Sequence, residues 1–249
     1  MTPPPRRRRP GCRLAPRRLA WLLLAAGLLP AMDVPARTMA RDYGLEPGTL
    51  FALTVAHERF DFRLEDGGRA ETRVTRAEGS LVQPITPWFQ PGVVLGGAIM
   101  SQRDNPVTAG LDPALWLAGL TLDSHWPLAG PLSLVLHGAA VYHRTEAAES
   151  RDTDDPEADV TLDWFELRGR ALLRADLGRI HLAGGGYLLA LEGDQRQTGD
   201  VRLTEGLTLE GSAGAYGELG VQVDRTGWVT LGLEVGARDA MRVQFLRRF

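Results

Sequence analysis

The sequence predicts an all-β fold, an antiparallel up-and-down transmembrane β-barrel of about ten strands. Three observations predict it. From about Thr49 onward the chain is a succession of segments with apolar side chains at alternate positions, the signature of strands with one apolar face. The connections between segments alternate between short turns and long polar loops, as in barrels that cross a membrane. Charged residues collect on the face opposite the apolar one.

Taken in order, Thr49 to Glu65 sets Phe51, Leu53 and Val55 on one face and then changes phase to Phe60, Phe62 and Leu64. That change predicts a β-bulge near His57 to Arg59. Asp66-Gly67-Gly68 is a tight-turn signal. Ala70 to Gln83 is a weak strand with Val74 and Leu81 as its main apolar residues, "TPWFQPG" a turn, and Val93 to Ser101 a strand without clear alternation. Ala114, Trp116, Ala118, Leu120 and Leu122 then alternate cleanly, "HWPLAGP" turns the chain, and Leu132, Leu134, Leu136, Ala140 and Tyr142 continue the pattern.

The later half repeats the design. Val160, Leu162 and Trp164 shift phase to Phe165, Leu167, Ala171 and Leu173, and "ADLG" leads into Arg179 to Glu192. Ala213 to Asp224 and Val229 to Val235 alternate on either side of "DRTG", and Met241, Val243, Phe245 and Phe249 line one side of the last segment. The long polar connections are "QRDNPVTAGLD", "TEAAESRDTDDPEAD" and "GDQRQTGDVRLTEG". Sorting loops by length predicts short periplasmic turns at one end and longer extracellular loops at the other. The count is ten strands, or eight if the weak pair before Pro84 does not span.

The uncharged stretch Trp126 to Tyr142 is the one rival for a transmembrane helix, and Pro127, Gly130 and Pro131 break it. Residues 1–36 read as a signal peptide: a basic region with seven arginines, the apolar run "LAWLLLAAGLLPAM", and "VPA" ending at Ala36. The barrel domain then occupies residues 37–249. Without the leader, 28 basic and 31 acidic side chains fall to 21 and 30, and the net charge goes from −3 to −9. Nucleic acid is therefore not an expected partner. The one cysteine, Cys12, leaves with the leader, and the chain has no lysine, which excludes cysteine and Schiff-base chemistry.

Turning each apolar set toward lipid places Arg59, Arg63, Arg168, Arg170, Arg242 and Arg248 in the lumen. With them go Asp61, Glu65, Asp163, Glu166, Glu218, Asp224 and Glu234. An arginine at the bilayer midplane would cost about 2–4 kcal/mol, so the opposite choice is excluded for a membrane barrel. A small barrel with such a balance of charge is filled by its own side chains, with at most a narrow solute path.

The last segment, with its alternating apolar residues and Phe249, resembles the C-terminal signature by which Gram-negative outer-membrane β-barrels are recognised by their assembly machinery. Arg247 departs from that pattern. A looser likeness to small OmpA-type and YfaZ-like barrels runs through "WPLAGPLSLVLHGAAVY". The resemblance implies the cell outer membrane, with outer-membrane lipid, lipopolysaccharide and the barrel-assembly machinery as partners. It implies a structural or surface-interaction role, with limited small-solute passage in reach. A lipid-modifying barrel enzyme and a soluble periplasmic β-barrel binding an apolar ligand stay open as alternatives.

No catalytic, cofactor or metal residue is assigned. The acidic run Glu146, Glu149, Asp152, Asp154, Asp155 and Glu157 lacks the spacing and glycine of a calcium loop. Adjacent residues Asp123, Ser124 and His125 point to opposite faces of a strand. Ser133 and His137 share a face but lie two strand steps apart, about 6.6 Å each, too far for a nucleophile and its base. His143 is the remaining candidate base. Gly184-Gly185-Gly186 is not a phosphate loop and is expected to let the strand bend or let the barrel wall approach an interior side chain. Trp88, Trp126 and Trp228, all beside short turns, are expected in a periplasmic aromatic girdle.

Overall fold

The computed structural model describes residues 48–249 except 66, 106–107, 109–110, 146–147, 150–158 and 199–202. Residues 1–36, expected to form a signal peptide, therefore lie outside the described residues. Among the described residues twelve strand segments run in chain order: β1 (Leu50–Leu64), β2 (Arg69–Val82), β3 (Gln90–Arg103), β4 (Ala114–Pro127), β5 (Leu132–Thr145), β6 (Ala148–Glu149), β7 (Asp159–Leu177), β8 (Ile180–Thr198), β9 (Leu203–Leu209), β10 (Ala213–Gln222), β11 (Gly227–Gly236) and β12 (Asp239–Arg248). Every pairing is antiparallel. Ten segments close a ring, in which β1 pairs with β2 on one side and β12 on the other, while β6 and β9 are short additions. The weak segment before Pro84 is a full member: β1 and β2 pair without a break from Leu50↔Val82 to Arg63↔Arg69.

A belt of apolar side chains covers the outside of the ring. Leu95, Leu120, Leu188, Leu219, Leu231, Leu233, Met241 and Val243 all point outward and are exposed, as lipid-facing residues are. Inward positions at the height of the belt include the small, polar or charged Gly220, Thr230, Glu234 and Arg242. Among the described residues no helix is long and apolar enough to cross a membrane.

The expected bulge near His57 is absent. β1 keeps one register against both neighbours through His57, Glu58 and Arg59, so the pattern changes while the pleat does not. Leu53 and Val55 face outward, and Phe60, Phe62 and Leu64 face inward and are buried. β7 does the same in reverse: Val160, Leu162 and Trp164 are buried inside, and Phe165 and Leu173 lie exposed outside. Each strand passes from a lipid-facing half, apolar outside, to a water-facing half, apolar inside. Strand length agrees: β7 and β8 have 19 residues each, about 60 Å of extended chain, where a membrane crossing takes about 9–11 residues.

The ring narrows above the belt. β11 and β12 have 10 residues each and turn at Ala237-Arg238. Beyond that turn β9 takes their place, pairing with β8 and closing directly onto β1 at Phe62↔Leu209, Arg63↔Thr208 and Leu64↔Leu207. Ten strands around the lower part thus become eight around the upper. The bulge lies at the junction of β9 and β10, where the steps from Thr208 to Ala213 are matched by one step fewer on β8, from Glu192 to Leu188. The sequence segment from Gly193 to Gly206, expected as a loop, is largely paired strand of β8 and β9.

Candidate functional site

The lumen is built in layers. At the extracellular mouth two residues between β3 and β4 point inward: buried Asn105 donates to Gln195 Oε1 (2.7 Å) and Gln102 Oε1 (3.0 Å), and buried Thr108 donates to Gln102 (2.6 Å). Beneath it is a dry core of Phe60, Phe62, Leu117, Leu162, Trp164 and Leu207. Phe62 meets Trp164 edge-on at 6.0 Å, and Trp164 stacks on His143 at 4.8 Å. Gly193 makes this possible, because a Cβ there would lie on the Asp163 carbonyl oxygen and 2.5 Å from Trp164 Cβ.

Below the dry core lies the layer of interest. Arg76, Arg168, Arg170, Arg238 and Arg242 meet Glu58, Glu78, Glu166 and Glu234 inside the ring. Arg76 Nη2 is 2.9 Å from Glu58 Oε1, and its Nε is 3.5 Å from Glu78. Arg238 Nη1 reaches Glu58 at 3.2 Å and Glu166 at 3.3 Å, and its Nη2 reaches Glu234 at 2.8 Å. Arg170 and Arg242 both close on Glu234 Oε1, and Arg168 is 3.4 Å from Glu166. Arg170 lies over the Tyr216 ring at 4.6 Å, whose hydroxyl donates to Glu218 (2.5 Å), which also meets His181 Nε2 at 2.9 Å. With Glu218 included, five arginines face five glutamates. Charges removed from water survive only when paired and hydrogen-bonded, and here each carboxylate has a guanidinium or imidazole partner.

Arg238 enters this layer through backbone geometry. The short β11–β12 hairpin ends at the height of the charged layer, so its turn points a side chain into the lumen. The Tyr187 hydroxyl fixes that turn, accepting from the Arg238 N–H (2.9 Å) and donating to its carbonyl oxygen (2.8 Å). Arg238 is 1% exposed and Arg76 2%, so neither guanidinium has water as its main partner.

The periplasmic part of the lumen is polar and partly open. Asp123 and His137, opposite each other on β4 and β5, share a hydrogen bond of 2.7 Å, and Arg174 pairs with Asp176 at 2.7 Å. Asp123 and His125 face inward and Ser124 outward, as strand alternation requires. Ser124 accepts from the Trp126 indole at 2.6 Å. Ser133 and His137 share the inward face of β5, and the partner of His137 is Asp123. Among the described residues no group of three or more His, Cys, Asp or Glu side chains could hold a metal ion. Glu146, Asp152, Asp154, Asp155 and Glu157 lie outside the described residues, as does the side chain of Glu149.

Several expected lumen residues are elsewhere. Arg168, Arg170, Arg242, Arg248, Glu166, Glu218 and Glu234 do lie on inward positions. Arg59, Asp61, Arg63 and Asp163 point outward, because they belong to the water-facing halves of β1 and β7 where the inside is apolar. Glu65 is exposed just past β1, and Asp224 sits in the β10–β11 turn, accepting from the backbone N–H groups of Thr226 and Gly227. Trp228 is not in a girdle. It faces the lumen, 5.2 Å from the His181 ring. Trp126 keeps an outward position on β4, and Trp88 is exposed in the β2–β3 turn.

The architecture of this site can be compared with known proteins. No protein-family model matches the chain, and no curated protein matches it in sequence. Among solved structures it is similar to the translocator domain of the autotransporter NalP from Neisseria meningitidis, with 14% identity over 94% of this chain and 98% of that one and a TM-score of 0.51. The outer membrane protease OmpT from Escherichia coli matches at 11% identity over 82% and 97%, TM-score 0.46. An outer membrane channel from Pseudomonas putida F1 matches at 11% over 82% and 96%, TM-score 0.40. The fold is that of a Gram-negative outer-membrane β-barrel. At these identities the likeness is one of architecture, and no residue role is carried across.

Proposed function

We propose that the chain is an integral outer-membrane protein whose barrel is closed, serving a structural or surface-interaction role at the cell surface. The observation that carries this reading is the stack of layers filling its lumen: buried Asn105 and Thr108 at the mouth, the apolar core and the Arg–Glu layer. A solute would have to displace Arg238 and Glu234, which are anchored from β1, β7, β11 and the β11–β12 turn at once. The exposed apolar belt supports residence in lipid over a soluble ligand-binding barrel, since a soluble barrel has no use for exposed outward Leu, Val, Ile and Met side chains on most of its strands.

Single-channel recording in planar bilayers tests the closed state. Protein whose folded form is verified by a mobility shift on boiling should give no steady conductance. Regular ohmic steps from that same preparation would mark it as a channel and overturn the proposal.

A further inference from the structure

The outward side of the barrel carries a feature that the closed lumen does not use. Just above the apolar belt, the neighbouring strands β1, β2 and β3 present successive outward rows. His57, Thr75 and Ile99 form one row, Arg59, Arg73 and Ser101 the next, and Asp61, Glu71 and Arg103 the one beyond. Arg59 and Arg73 are directly opposite each other, where Cβ atoms sit about 4.5–5.5 Å apart and like charges repel. One carboxylate serves both: Glu71 is 3.0 Å from Arg59 and 2.8 Å from Arg73, and it is also the register partner of Arg103. Asp61, in the same row, is taken by Arg69 at 2.6 Å, so these four guanidiniums face two carboxylates and leave a local excess of two positive charges. The Arg59 side chain is 56% exposed and that of Arg73 37%, so both can reach a ligand outside the wall.

Position names the ligand. The row below, ending in Ile99 at 60% exposure, still belongs to the belt, and one strand repeat of about 6.6 Å separates it from Arg59 and Arg73. That places the guanidiniums at headgroup height in the extracellular leaflet. Arginine forks match phosphate oxygens in pairs. The far side of the barrel has the opposite sign, with outward Asp163, Glu192 and Asp194 around Arg196. We infer that Arg59, Arg73 and Arg103 form a binding site for the phosphates of the phosphorylated glycolipid of the outer leaflet. The inference rests on the barrel standing in that membrane.

The test uses the full barrel in phosphatidylcholine nanodiscs, with folding verified by mobility on boiling so that failure to form a membrane barrel is seen separately. Bisphosphorylated lipid A is titrated against the wild type, the Arg59→Gln/Arg73→Gln double variant, Arg103→Gln alone, and Arg196→Gln on the acidic side. The wild type should bind saturably. The double variant should bind about thirtyfold more weakly, from the loss of two interfacial arginines. Arg103→Gln should fall between the two, and Arg196→Gln should match the wild type. Equal binding by the double variant, equal binding of dephosphorylated lipid A, or full competition by millimolar inorganic phosphate would each overturn the assignment.

Discussion

Arg238 and Glu234 face each other across the β11–β12 turn, Nη2 to Oε2 at 2.8 Å, with both side chains sealed from solvent. The pair is the centre of the lumen layer, because the same guanidinium also holds Glu58 and Glu166. Removing it leaves three buried carboxylates short of a partner. Arg238→Ala is therefore expected to lower stability by about 3–5 kcal/mol. Denaturant unfolding in lipid vesicles measures it, and a loss under 1 kcal/mol would show that the layer is not held through this residue.

The upper core behaves like that of a water-soluble barrel. Phe62 is fully buried and packs on Trp164, so Phe62→Ala should cost about 3–5 kcal/mol. Phe165, the outward neighbour of Trp164, is exposed, and Phe165→Ala should cost well under half as much. Paired unfolding curves of the two variants check this. Equal losses would contradict the assignment of inside and outside along β7.

Gly193 gives a backbone test of the same region. Any side chain there meets the Asp163 carbonyl and the Trp164 Cβ, neither of which can swing away without disturbing the β7–β8 ladder. Gly193→Ala should destabilise the barrel by about 1–3 kcal/mol, as overpacking does. Gly217→Ala, at an outward position with open space around it, should be close to neutral. The difference in unfolding midpoint between the two variants is the readout.

The β10–β11 turn carries a titratable test outside the membrane. The Asp224 carboxylate is held below the ordinary aspartate range, first by the Thr226 N–H and also by that of Gly227. A depressed folded pKa means the contribution is present above the unfolded pKa and is lost as pH falls through the folded one. Asp224→Asn should therefore lower stability at neutral pH, where that contribution is present, flatten the acid limb of the profile, and converge on the wild type at low pH. An unchanged acid limb would show that the turn does not depend on the charge.

How much of this was legible in the sequence depends on what alternation can encode. Period two on Leu219 to Val223, Val229 to Val235 and Met241 to Phe245 reads directly as strand, and those segments stand where they were expected. Alternation does not say which face is in. The offset between Val55 and Phe60, and between Trp164 and Phe165, reads equally well as a bulge or as one strand leaving lipid for water. The structure shows the second, which is why Arg59, Asp61, Arg63 and Asp163 face outward and not into the lumen. Glu58 could have been found, since it continues the small inward face of Ala52, Thr54 and Ala56. Arg238 could not: it sits in a turn, and only the shortness of β11 and β12 beside β8 and β9 brings it into the lumen.

The belt is the central claim, and nitroxide accessibility along β11 tests it most directly. With Cys12 replaced, single cysteines at Val229, Thr230, Leu231, Leu233 and Val235 are labelled in the reconstituted barrel. Relaxation by oxygen, which partitions into lipid, is compared with relaxation by a water-soluble nickel complex. Positions 229, 231, 233 and 235 should be oxygen-accessible and nickel-protected, and position 230 protected from both. Nickel access at the odd positions would place this face in water and contradict the membrane barrel.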